Sequence, residues 1–107
     1  MNKYRDKSDF EVNKAVAVSL SAEFQFDDIC EKLYTDIFRN TEINYCNNPA
    51  DAMPIVIENK ICLTVGDSDD IWVADTTRSS ESSFNENPYR AAMEVFLMMK
   101  DAENEKS

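Results

Sequence analysis

The sequence predicts an α+β domain: a single domain of three main helices packed on a small antiparallel sheet. Three observations carry this expectation. Two Asn-Pro pairs, Asn48-Pro49 and Asn87-Pro88, each have the form of a helix start. Asn caps free backbone N–H groups of the first turn, and Pro at the first helical position sacrifices no hydrogen bond. Ser8-Asp9-Phe10-Glu11 has the form of a capping box. Ile61–Val65 and Ile71–Asp75 flank the turn Gly66-Asp67-Ser68-Asp69-Asp70, as the arms of an antiparallel hairpin do.

In chain order, residues 1–7 are polar and are expected to form a flexible arm ahead of a domain spanning 8–100. Ser8 caps a first helix over about 9–20, with Glu11 reaching back and Val12, Ala15, Val16, Ser19 and Leu20 on its apolar face. In 27–38 the positions of Ile29, Cys30, Leu33 and Ile37, with Phe26 just before, favour a helix, and a hairpin is the alternative. Arg39-Asn40-Thr41-Glu42 reads as a turn and Ile43-Asn44-Tyr45 as a short strand. The second helix opens at Pro49 and is expected to reach about Lys60, with Pro54 a point of kinking or division. Residues 76–86 read as a polar loop. The third helix opens at Pro88 and carries Ala91-Ala92-Met93-Glu94-Val95-Phe96-Leu97-Met98-Met99. A helix so nearly apolar all round must be covered on most sides, which makes it the central core element. The charged tail 101–107 is expected to fray.

Composition excludes several functions. The chain has 107 residues, one Gly and no His. One glycine cannot build a phosphate loop or a dinucleotide fingerprint. Cys30, Cys46 and Cys62 include no Cys-x-x-Cys pair, so neither a zinc site nor any other metal or cofactor is expected. Three free thiols suit a reducing cytoplasm. The N-terminus is polar, and no signal peptide and no membrane span is expected. The net charge is −10. It is concentrated in residues 21–60 and 61–87, each at −5. Such a surface repels phosphate backbones and favours docking to a basic surface. Lys3, Arg5 and Lys7 are too few to reverse that balance.

Further residues carry a resemblance. Ser8–Ala17, the stretch Tyr45–Lys60 with its Cys-Asn-Asn-Pro-Ala-Asp-Ala string, Trp72 followed by Ala74, Asn87-Pro88-Tyr89-Arg90-Ala91-Ala92-Met93 and Val95–Met99 resemble the NinX family of small bacteriophage and prophage proteins. Residues 21–44 resemble it least. Asn44 stands where such proteins often have Asp, and Met53 where they often have Trp. The resemblance implies a phage or prophage origin and a bacterial cytoplasmic setting. It carries over no reaction and no catalytic residue.

The candidate binding residues are Tyr45, Asn47, Asn48, Asp51, Trp72 and Arg90. The first four cluster at a helix N-terminus, where free N–H groups can meet an acceptor. Capping alone would also explain them. Asp51 and Arg90 each follow their Pro by two residues, which suggests an ion pair joining the two helix starts. Trp72 is either core or an interface anchor. Asp67, Asp69 and Asp70 lack the glycine and closing Glu of an EF-hand loop and read as a solvated turn. The function expected is an acidic protein-binding accessory factor acting on a host or phage protein, with homo-oligomerisation left open. The alternative is a small enzyme or small-ligand-binding protein using the corner around Cys46.

Overall fold

The computed structural model describes residues 2–35 and 41–105. Among these residues, three helices and two three-stranded antiparallel sheets make an α+β fold. Helix α1 spans Asp9–Ser19, and Ser8 caps it, its Oγ accepting the Glu11 N–H at 3.1 Å. The Glu11 carboxylate lies 3.9 Å from Lys7 Nζ, so Glu11 faces a cation of the preceding turn. The buried face of α1 is Val12, Asn13, Val16 and Ala17. Leu20 lies past the last turn and is exposed, which rotates this face away from the expected one.

Residues 25–34 form a hairpin and not the helix that periodicity favours. Strand β1 (Gln25–Asp27) pairs antiparallel with β2 (Lys32–Tyr34), and β2 pairs with β3 (Glu42–Ile43). Asp27 Oδ1 accepts the N–H groups of Ile29 and Cys30, and Glu31 takes a left-handed φ of 55°. That side-chain turn breaks any helix here. Ile29, counted in the helical stripe, is 94% exposed, while Leu33 alone of the turn and β2 goes into the core. Residues 36–40, which hold part of the expected turn and Ile37, lie outside the described residues.

Helix α2 (Pro49–Glu58) starts as predicted, with Asn48 Oδ1 accepting the Ala50 N–H. It runs through Pro54 as one helix, giving up the one bond that residue 54 would donate to Ala50 O. It ends at Asn59 and Lys60, the latter at φ 55°. The hairpin is as expected: β4 (Ile61–Val65) pairs with β5 (Trp72–Thr76). Gly66 closes the turn, its N–H donating to Ile71 O at 2.7 Å. A Cβ there would stand 3.2 Å from that oxygen.

A third strand, β6 (Ser82–Asn85), pairs with β5 where a loop was expected. Its pattern misleads because the inward residue is Ser83 and the apolar Phe84 points out. Leu63, Ala74 and Ser83 stand opposite one another on the face toward helix α3 (Pro88–Glu105). Small inward side chains let the helix approach closely. Every residue from Arg90 to Met99 is buried, and α3 touches β4, β5, β6, α1 and α2, as a central helix should. It continues past residue 100 to Glu105, where a frayed tail was expected. Tyr4 Oη donates to Asp101 on that last stretch.

Candidate functional site

The two Asn-Pro corners meet. Asn87 Oδ1 caps α3 by accepting the Tyr89 N–H at 2.9 Å. Its Nδ2 donates to Cys46 O at 2.8 Å and to Asn47 Oδ1 at 2.9 Å, tying the start of α3 to the turn before α2. Asn47 Nδ2 donates onward to Asp9 Oδ2 and to Asn44 Oδ1. Asn13, buried on α1, accepts the Cys46 N–H and donates to Asn44 Oδ1, both at 3.0 Å. Four carboxamides thus close a network between three helix starts, with Asn13, Asn47 and Asn87 both donating and accepting and Asn44 Oδ1 accepting twice.

Arg90 lies under this corner, and each of its three guanidinium nitrogens donates. Nε donates to Glu94 Oε2 at 2.6 Å and Nη1 to Asp9 Oδ1 at 2.5 Å. Nη2 donates to Tyr4 O at 2.8 Å and Lys7 O at 2.7 Å. Residues 4–7, expected as part of a loose arm, are therefore strapped to the core by a side chain that is only 6% exposed. Burial works against the charge on Arg90. Its hydrogen bonds to the Asp9 and Glu94 carboxylates outweigh it and hold the guanidinium above its ordinary pKa. Glu94 is 1% exposed, and its Oε1 accepts from Ser83 Oγ and from Asn2 Nδ2 at 2.7 Å. Among the described residues no buried side-chain polar atom lacks a partner.

The expected Asp51–Arg90 pair is not formed. Asp51 Oδ2 instead accepts the Asn44 N–H at 3.0 Å, at the start of its own helix. Arg90 turns toward Asp9 and the carbonyls of Tyr4 and Lys7, which together take three of its N–H groups where one carboxylate could take two. Spacing from Pro places the two residues alike on their helices but says nothing of which neighbours each helix start faces.

The other candidates separate by exposure. Tyr45 is buried; desolvation first, and the Asp51 charge second, raise its pKa. Asn47 and Asn48 are exposed and, with Glu42 and Asn44, line a shallow depression of about 350 Å³. Trp72 is half-buried in a cleft of about 400 Å³ beside Asp69, Asp70 and Glu86. Cys46 is fully buried. Its thiol is pushed up to about 12, by burial first and then by Asp9 and Glu94, with Arg90 opposing. A thiol so held is a poor nucleophile, and its Sγ lies against Asp9 O at 3.8 Å.

Sequence reasoning missed Asp9, Glu94 and Asn13. Glu94 alone left a signal, as the one charge inside an apolar helical run and four residues after Arg90.

No group of three or more His, Cys, Asp or Glu that could hold a metal occurs among the described residues, and no helix there is long and apolar enough to cross a membrane. Comparison with curated proteins finds no match, and comparison with solved structures finds none. The family model described as bacteriophage P22 NinX matches residues 3–100, and with that match over nearly the whole chain the protein belongs to the NinX family.

Proposed function

We propose that this phage-family protein is an acidic protein-binding module that acts by docking to a host or phage protein. The observation that carries this reading is the self-sufficiency of the corner. Its Asn, Asp, Arg and Glu side chains bind one another and the backbone, so they hold three helix starts together and present no set of free groups converging on a substrate. What remains outward is strongly acidic, with apolar side chains such as Phe84 and Val65 more than half exposed. That combination suits association with a basic protein surface and disfavours nucleic acid.

The test is affinity capture of the tagged full chain from bacterial cells with and without phage infection, followed by calorimetry with the purified partner. A partner that rebinds in fixed stoichiometry, with affinity falling as salt rises, is the expected result. Failure to recover any partner that rebinds in purified form would overturn the reading.

A further inference from the structure

The outer face of the β4–β5–β6 sheet turns away from α3. Cross-strand register places Thr64, Val73 and Phe84 side by side in one row on that face. Phe84 is 53% exposed. With Val65, Ile71 and Asp67 this row lines an open groove of about 570 Å³, closed at one end by the 66–71 turn. Val65, Ile71, Val73 and Phe84 make part of its floor apolar, beside the polar Thr64 and Ser68.

Charge decides what fits it. Asp67 is the one charged lining residue, and Asp69 and Asp70 follow in the same turn, all exposed. Asp75, two residues beyond Val73 on the same strand, is also exposed on this face. The Arg5 guanidinium sits 4.9 Å from the Phe84 ring centroid, so a cation of the chain itself covers part of that ring and a partner's side chain would take its place. A cation over an aromatic face is favourable. A second copy would bring the same acids against this rim, and like charges would repel.

We infer that this groove docks a basic segment of a partner protein, one that alternates apolar and cationic side chains. The apolar residues would rest on Val73 and Phe84, and Lys or Arg would meet Asp67 in the groove and Asp75 on the same face. The inference rests on the protein-binding reading above and gives it a face and a partner chemistry.

The probe is a synthetic heptapeptide alternating Lys and Leu, titrated into the isotope-labelled full chain and followed by amide chemical shifts. Two control peptides replace Lys by Glu, or Leu by Ser. The expected result is shifts centred on Thr64, Val73 and Phe84 with the Lys/Leu peptide, and at least tenfold weaker binding of both controls. Phe84→Ala, at an exposed position, should weaken the Lys/Leu peptide about tenfold. Asp67→Asn/Asp75→Asn should weaken it and flatten its salt dependence. Shifts centred elsewhere, equal binding of either control, or no binding would overturn the inference. So would self-association through this face in sedimentation. If a partner captured from cells binds these variants undiminished, the groove assignment fails while the protein-binding reading stands. If no partner rebinds, that reading fails on its own terms.

Discussion

Arg90 and Glu94 are the residues on which the interior turns. Each is a charge out of water, tolerable only because every hydrogen-bonding atom has a partner. Arg90→Ala should cost about 3–5 kcal/mol in urea denaturation, because Glu94 is left buried without its cation. Arg90→Lys should also be clearly destabilising, since an ammonium cannot reach two carboxylates and the carbonyls of 4–7 together. Cys46 makes a second prediction at this scale. Its folded pKa lies above the ordinary 9.0, at about 12, so the neutral thiol is what the fold stabilises. That stability is whole below pH 9 and is lost as pH rises toward 12. The loss from this group between pH 8 and pH 10 should be on the order of 1 kcal/mol. Tyr45, also raised, adds loss in the same direction at higher pH. Cys46→Ala should reduce the drop measured by urea denaturation at the two pH values.

At the scale of elements, local cap chemistry was the most legible part of the sequence. Ser8, Asn48 and Asn87 all cap helices where they were expected to, because a cap needs only its own side chain and the next few N–H groups. Asn87 does more, since it also holds Cys46 O and Asn47. Asn87→Ala should therefore cost more than the ~1 kcal/mol typical of a lost cap, and more than Asn48→Ala, by thermal denaturation of the two variants. The C-terminus of α2 gives the opposite sign. Lys60 is an exposed residue held at φ 55°, where a Cβ is strained. Lys60→Gly should raise stability by about 0.5 kcal/mol, the relief of strain exceeding the entropy a glycine adds to the unfolded chain. The misread elements share one cause. In 25–34 a chance helical spacing of Phe26, Ile29, Cys30 and Leu33 outweighed Asp27, whose carboxylate makes the turn. In 82–85 the strand buries a serine and exposes its one aromatic, so hydrophobic alternation pointed nowhere. Pattern reading assumes that apolar residues face inward, and both segments break that assumption.

At the scale of the molecule, α3 is the axis on which the other elements are assembled, and its apolar run made that legible. The corner was half legible. The sequence brought the two Asn-Pro starts together but paired Arg90 with the wrong acid. Asp9 and Asn2 are 81 and 92 residues from their partners, and no spacing rule reaches that far. The same long contacts make the N-terminus part of the fold: Asn2, Tyr4 and the carbonyls of 4–7 complete the shell around Arg90 and Glu94. The corner is thus read as the structural hub that leaves the outer surface free for a partner. A double-mutant cycle on Arg90 and Glu94, by urea denaturation with partner binding followed in parallel, tests this most directly. The account predicts a loss of about 3–5 kcal/mol for Arg90→Ala. It predicts a loss in Arg90→Ala/Glu94→Ala well below the sum of the two single losses, and unchanged partner affinity in whatever fraction stays folded. An Arg90→Ala protein that keeps its full stability but loses its partner would contradict it, and would make the corner the binding site itself.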